Sequence, residues 1–200
     1  MQKIGVLGGT FDPIHYGHLF IAENAMQVFA LDKVMFIPTG IPPHKVMINV
    51  TDKQHRFNMV SLAVKSNTCF EVSNIEVAKD TISYTIDTMT ELKKLYPNDL
   101  FYYIVGADSL YDMASWKNFR KLAKLFEIIS INRMTGKFLD VAEISKSITE
   151  KYGFVIHTLE VPILEISSTE IRRRVQEGLP IKYMLPDNVE RYIRKHKLYK

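Results

Sequence analysis

Short runs rich in β-branched and aromatic residues alternate along this chain with stretches of helical apolar spacing. That alternation restricts the fold more than any other feature. The first run is "KIGVLG" (Lys3–Gly8). Helical spacing follows over about Gly17–Ala30, where Leu19, Ala22, Met26 and Phe29 recur three or four residues apart. "KVMFIP" (Lys33–Pro38) is the next strand, and "TGIPPHK" (Thr39–Lys45) is a loop fixed by Gly40, Pro42 and Pro43. Further strands are expected at "CFEVS" (Cys69–Ser73), "LFYYIVGAD" (Leu100–Asp108), "FEIISINR" (Phe126–Arg133) and "GFVIHTL" (Gly153–Leu159). Helices are expected over Lys53–Lys65, over Ser83–Pro97 with Pro97 as its stop, over Val141–Lys151, and near Ser168–Glu177 and Pro186–Lys195. Strands separated by helices form parallel crossovers, which predicts a doubly wound α/β fold with a parallel sheet flanked by helices. The 200 residues fit one domain, with a small C-terminal helical portion over about 166–200. Ligands of such folds bind outside the carboxyl ends of the strands, where the strand order reverses. Gly8–His18, Pro38–Lys45, Gly106–Ser109 and Asn132–Arg133 each follow a strand and are expected along that edge.

Composition removes several function classes. Cys69 is the only cysteine, so neither an internal disulfide nor a cysteine-rich metal site can form. No apolar run approaches the ~18 residues of a membrane span. The opening "MQKIGVLGG" is interrupted too soon for a secretory signal. A soluble cytoplasmic protein is expected, with 46% apolar residues to build its core. The net charge of +4 suits anionic small molecules and is too diffuse to announce a nucleic-acid face. Neither nucleic acid nor membrane is expected as a partner, and the oligomeric state stays open, homo-oligomer included.

The stretch "GVLGGTFDPIHYGHL" (Gly5–Leu19) carries the densest chemistry. Its glycine spacing is not that of a dinucleotide fingerprint, and no Gly-Lys-Ser/Thr follows to make a Walker loop. Glycines such as Gly8 and Gly9 after a first strand nevertheless let a phosphate approach the backbone. His15 and His18, three apart at a helix start, can point to one side and donate to phosphate oxygens. A tight turn carrying surface histidines is the plainer reading. A metal pair is a third, and it lacks further ligands at suitable spacing.

In "EISSTEIRRR" (Glu165–Arg174), Ser167 and Glu170 form a capping box, which marks a helix start. Arg172, Arg173 and Arg174 fall within its first two turns, where the helix dipole disfavours cations. An anion bound there would resolve the conflict, held by free N–H groups, the hydroxyls and one arginine. Consecutive side chains fan around a helix, which favours Arg172, nearest the start. Lys45 ends the proline-rich loop and can add charge, or be a solvated lysine. Trp116, the only tryptophan, is on first principles a core residue.

These motifs together resemble the HxGH nucleotidyltransferases, whose signatures are a first-strand H-x-G-H, here His15-Tyr16-Gly17-His18, and a late S/T-S/T-x-x-x-R. Within that superfamily the chain is most similar to the bacterial nicotinate-nucleotide adenylyltransferases. It shares "PPHK" (Pro42–Lys45), "HRFNM" (His55–Met59), "SYTIDT" (Ser83–Thr88), "GADS" (Gly106–Ser109) with Trp116 soon after, and "ISSTEIR" (Ile166–Arg172), in the expected order. The resemblance implies a single Rossmann-like nucleotidyltransferase domain over residues 1–200. It implies transfer of AMP from ATP to nicotinate mononucleotide in NAD biosynthesis, by direct attack on the α-phosphorus without a covalent intermediate. His15, His18 and Arg172 are then the catalytic residues. Gly8, Gly9, Thr10, Lys45, Asp108, Ile166, Ser167, Ser168 and Thr169 bind ATP. Tyr84, Thr85, Asp108, Trp116 and Arg133 bind the mononucleotide, with Trp116 stacked on the ring and the Tyr84–Thr85 turn donating N–H groups to the carboxylate. Mg²⁺ is implied to arrive with ATP on its phosphate oxygens, without a carboxylate cage.

Two features depart from that pattern. Val46–Gln54 opens with an unusual apolar stretch, and "KNF" after Trp116 lacks a second tryptophan. Acceptors carrying phosphopantetheine, glycerol phosphate or the amide nicotinamide mononucleotide are the rivals within the class. A nucleotide- or RNA-binding regulator, suggested by the basic tail "RYIRKHKLYK" (Arg191–Lys200), is the rival outside it.

Overall fold

The structure, a computed structural model, describes residues 1–42, 50–133, 141–162 and 164–200, with backbone alone at Arg133. Among the described residues there are six strands and eight α-helices. The strands are β1 (Lys3–Gly9), β2 (Lys33–Pro38), β3 (Phe70–Val72), β4 (Leu100–Gly106), β5 (Glu127–Arg133) and β6 (Ile156–Val161). The helices are α1 (Tyr16–Val28), α2 (Lys53–Val64), α3 (Thr85–Leu95), α4 (Ala107–Asp112), α5 (Phe119–Leu122), α6 (Val141–Tyr152), α7 (Ser168–Gln176) and α8 (Asp187–Lys195). The strands form one sheet in the order β3-β2-β1-β4-β5-β6, and β1–β4, β4–β5 and β5–β6 all pair parallel. This is the doubly wound α/β fold that the alternation predicts. The order reverses between β1 and β4, so the carboxyl ends of these two strands mark the switch point where ligands collect in such sheets.

One compact unit comprises Met1–Gly8, Ile21–Val34 and Tyr84–Ile163. Its register sets Ile4 opposite Phe101 and Val6 opposite Tyr103, then Ile104 opposite Ile129. Ile4, Val6, Ile104, Ile128 and Ile129 are all buried, as expected of parallel strands covered on both faces, which read as continuous apolar runs. Asp32 ties β1 to the approach of β2 by accepting from the Lys3 N–H at 2.7 Å.

The second unit comprises Gly9–Phe20, Met35–Ser83 and Leu164–Lys200. Here α8 packs on α2, burying Met59, Val60, Val189 and Ile193. Asp52 caps α2, its carboxylate accepting from the Gln54 N–H at 2.8 Å. The polar flank of the pair is closed by Tyr192, whose hydroxyl lies 2.9 Å from His55 Nδ1 and accepts from Asn58 at 3.0 Å.

Among the differences from the sequence reading are two strand boundaries and two short helices. The strand expected through Asp108 stops at Gly106, whose extended backbone opens α4, so Asp108 stands in a first helical turn. Helices α4 and α5 are too short for apolar periodicity to register, although Leu110, Phe119 and Leu122 are buried. The strand expected from Gly153 begins at Ile156, because Gly153 adopts φ 76° and ends α6 by donating to Thr149 O at 2.9 Å.

Helix α1 ends in a Schellman turn. The Ala30 N–H donates to Gln27 O and the Leu31 N–H to Met26 O, with Ala30 at φ 48° where glycine is usual. An L-residue with a Cβ is disfavoured in that conformation. Ala30→Gly is expected to raise stability by ~0.5–1 kcal/mol, after the flexibility of glycine in the unfolded chain is set against the relief. The midpoint of urea unfolding measures this, and a lowered midpoint contradicts it.

Candidate active site

The loop leaving β1 is built around its own aromatic rings. A Cβ at Gly9 would stand 3.2 Å from the Phe11 ring, and one at Gly8 would stand 2.7 Å from the Tyr103 hydroxyl. The room at both glycines is therefore used by protein side chains. Phe11 itself sits at φ 49°, which is costly for a bulky residue, and its ring lies edge-on to His18 at 5.0 Å and against Phe36 at 6.0 Å.

His15 is buried and its ring lies on that of His18, with centroids 3.7 Å apart and planes 30° apart. The His15 N–H donates to His18 Nδ1 at 3.3 Å. A ring that accepts there holds its lone pair on Nδ1, so in the neutral form it carries its proton on Nε2 and can donate from it. Gly17 leaves room between the two, because a Cβ there would press on the His15 ring at 3.0 Å. The H-x-G-H spacing thus has a steric reason as well as a helical one.

Helix α7 docks on the same loop. Ser168 Oγ donates to Pro13 O at 2.8 Å and Arg172 Nη1 to Asp12 O at 2.7 Å. Arg172 Nη2 also reaches Thr169 Oγ1 at 3.4 Å. Ser167 caps the helix, accepting from the Glu170 N–H at 3.1 Å, while Ile166 precedes it half-buried. The dipole conflict drawn from the arginine run does not hold for two of the three. α7 has nine residues, and Arg173 and Arg174 lie in its last turn, where cations are favoured. Arg173 is bonded to Glu170 and Glu177, partners that hold its charge more firmly than usual. Arg174 donates to Pro180 O at 2.8 Å. Arg172 alone of the run is turned to the loop.

The residue that sequence reasoning passed over is Arg56, on α2. It is 1% exposed, yet a guanidinium. It donates to three backbone carbonyls: Thr51 at 2.8 Å, Thr10 at 2.8 Å and Gly40 at 3.0 Å. Burial pushes its pKa down from the ordinary arginine value, and Asp12 and Glu76 oppose that. Asp12 is buried as well. Its Oδ1 accepts from the Tyr199 hydroxyl at 2.7 Å and its Oδ2 from the Thr51 N–H at 3.2 Å. "HRFNM" carried Arg56 only as a motif letter, and no spacing links it to partners so distant in the chain. Lys45 lies outside the described residues.

In the other unit a second cluster surrounds Trp116. The indole is half-buried, not a core side chain, and meets the Tyr103 ring edge-on at 5.9 Å and 83°. Tyr84 opens α3 with no cap from its own side chain, while its carbonyl accepts from the Asp87 N–H at 3.0 Å. Lys117, another residue that the sequence reading did not single out, holds its ammonium 4.1 Å above the Tyr84 ring and 3.3 Å from Asp87. Thr85 is half-buried and Asp108 exposed; Arg133 ends β5 opposite Val161. Among the described residues no group of three or more His, Cys, Asp or Glu side chains could hold a metal ion, and no helix is long and apolar enough to cross a membrane.

The chain matches the cytidylyltransferase-like family model over residues 6–174. It is 48% identical over 199 residues to a protein of Thermoanaerobacter sp. (strain X514) named probable nicotinate-nucleotide adenylyltransferase, covering 99% of this chain and 94% of that one. A protein of the same name from Desulfitobacterium hafniense (strain Y51) is 46% identical, covering 100% and 96%. Among solved structures, the Plasmodium falciparum nicotinic acid mononucleotide adenylyltransferase complexed with NaAD superposes with a TM-score of 0.81 at 25% identity, over 100% of this chain and 98% of that one.

Arg56 has a direct consequence for stability. Arg56→Leu would leave three carbonyls and the buried Asp12 uncompensated. A loss of ~3–5 kcal/mol is expected, the range for breaking a buried charge arrangement by removing one partner. Chemical denaturation checks it, and a change under about 1 kcal/mol would show that water reaches the site freely.

Proposed function

This chain belongs to the cytidylyltransferase-like family as a nicotinate-nucleotide adenylyltransferase, and we propose that it transfers AMP from ATP to nicotinate mononucleotide, releasing pyrophosphate and nicotinate adenine dinucleotide for NAD biosynthesis. The observation that carries the mechanistic part is the His15–His18 arrangement on a loop held by Arg56 and Arg172. The chain works as a single nucleotidyltransferase domain in the cytoplasm, with nucleotides rather than nucleic acid or membranes as its ligands.

The acceptor phosphate attacks the α-phosphorus of ATP in line, and no residue becomes covalently attached. Catalysis then consists of holding two anions and stabilising charge on the oxygens and on departing pyrophosphate. His18 donates from Nε2 to an α-phosphate oxygen. The stacked His15 and the edge of Phe11 fix the plane of that ring before substrate arrives. His15, Thr10 and the backbone at Gly8 and Gly9 complete the phosphate cradle, with Lys45 from the following loop. Arg172 meets the phosphates from α7, supported by Ser167, Ser168, Thr169 and the backbone at Ile166. Mg²⁺ would be held by the phosphates of ATP itself and would supply neutralisation of their charge, since the Asp12 carboxylate is already engaged by Tyr199 and Thr51.

Trp116 stacks on the pyridine ring, and the N–H groups at Tyr84–Thr85 receive its carboxylate. Asp108 contacts the nucleosides, and Arg133 contacts the acceptor. An amide in place of the acid would leave those donors facing an NH₂ group. Nicotinate mononucleotide is expected to be used at least ~100-fold more efficiently than the amide, on the scale of hydrogen-bond discrimination. Pyrophosphate release with ATP and each acceptor measures this. Equal kcat/KM for the two would remove the acid-selecting reading and leave the amide acceptor in play.

A donor that acts mainly in the transition state lowers the barrier without greatly tightening ground-state binding. His18→Ala is expected to keep its fold and bind ATP within about tenfold, while kcat falls ~10²–10³-fold, the usual effect of removing one such donor. Circular dichroism, ATP titration and turnover together check it. A folded variant with near-normal turnover would end the phosphate role of His18.

A further inference from the structure

The chain's last residues close on the loop that carries the histidines. α8 ends in a Schellman turn: the Lys197 N–H donates to Arg194 O at 3.3 Å and the Leu198 N–H to Ile193 O at 3.1 Å, with Lys197 at φ 53°. Tyr199 is also left-handed, at φ 64°. Two non-glycine residues in that region within three positions persist only where the surroundings over-determine them. The surroundings of Tyr199 are the loop. Its hydroxyl donates to Asp12 Oδ1 at 2.7 Å and touches Met59 Sδ at 4.0 Å.

Asp12 is the hub of the loop. Its second carboxylate oxygen accepts from the Thr51 N–H, and its main-chain carbonyl accepts from Arg172. It directly follows Phe11, whose left-handed backbone aims the ring at His18. Anything that fixes Asp12 therefore fixes a strained neighbour whose side chain flanks the histidine. Burial, with the charge of Asp12 beside it, holds the Tyr199 phenol well above the ordinary tyrosine range. The hydroxyl remains a donor at any working pH.

We propose that Tyr199 is a positioning residue: through Asp12 its hydroxyl sets the geometry of the loop bearing His15 and His18 and of the Arg172 contact, so the turn after α8 is part of the machinery of adenylyl transfer. This rests on the reading of that loop as the ATP-phosphate site. Without the hydroxyl, one oxygen of a buried carboxylate loses its partner and Phe11 can relax toward an unstrained backbone. Displacing a reacting group by about 1 Å costs up to ~10²-fold in rate.

Tyr199→Phe removes one oxygen and keeps the ring and the turn. The expected result is a fall in kcat of at least ~10-fold with KM for ATP changed by less than about threefold, because a misplaced donor is felt mainly in the transition state. Far-UV circular dichroism should be unchanged, and the His15 and His18 imidazole resonances should shift. A purely structural tether predicts a lower melting temperature with normal kcat and unmoved resonances, and that result overturns the proposal. If the wild-type protein releases no pyrophosphate from ATP and nicotinate mononucleotide, the functional reading falls by itself. The imidazole resonances then decide the positioning role alone: moved in Tyr199→Phe they support it, unmoved they overturn it.

Discussion

Burying a guanidinium is tolerable only if its N–H groups find acceptors, and at Arg56 this requirement organises the unit that carries the histidine loop. The three carbonyls it holds come from Thr10 after β1, Gly40 after β2 and Thr51 before α2. All three residues lie outside the strands and helices, with the Thr39 N–H to Gly9 O bond and an Ile41–Ile82 bridge as further ties beside Gly40. A single side chain from α2 therefore does for three connections what a strand ladder does for a sheet. The negative charge of Asp12 lies in the same environment and opposes the desolvation of Arg56. Asp12 is satisfied in turn by Tyr199 and Thr51. The network is closed: each buried polar group is the reason that the next can be buried.

Much of the fold was legible in the sequence because parallel strands and their crossover helices leave periodic traces. β2 was placed to the residue, and α2, α6, α7 and α8 to within a residue or two at each end, since their apolar spacing and caps are local properties. α4 and α5 left no such trace. One has six residues and the other four, and Leu110, Phe119 and Leu122 recur too irregularly to define a face. The resemblance to adenylyltransferases was legible for a related reason: its motifs are contiguous runs of sequence, at the ends of β1 and β4, within α2 and at the starts of α3 and α7.

The candidate site was legible only in part. The Ser167–Glu170 cap and the choice of Arg172 over its neighbours follow from helix geometry, and the structure turns Arg172 to the loop. The helix bounds legible in the sequence, Ser168–Glu177, already put Arg173 and Arg174 toward its end, and in the structure these two cations sit at the favourable end and are bonded there. Arg56 and Tyr199 could not be found this way. Their partners are 46 and 187 residues distant in sequence, and no local period encodes a contact made by tertiary packing. Lys117 is intermediate: a cation beside the lone tryptophan is visible in the sequence, but its seat over the Tyr84 ring is not.

The division between what is local and what is tertiary has a chemical meaning. The direct transfer of AMP proposed above would ask the protein for donors in fixed places, because a donor that must reorient during the reaction gives back much of what it contributes. Imidazole suits that task here, since its plane can be clamped on three sides. His18 has the His15 ring on one face, the edge of Phe11 against it, and the His15 N–H on Nδ1 to choose its tautomer. A lysine in its place would bring a stronger charge on a flexible stem that nothing in the loop could orient. The price is a left-handed Phe11, and the clamps on Asp12 immediately after it are what make that backbone tolerable. Rigidity of the donor and strain in the loop are thus two sides of one arrangement, and the buried contacts of Arg56, Arg172 and Tyr199 are what keep it from relaxing.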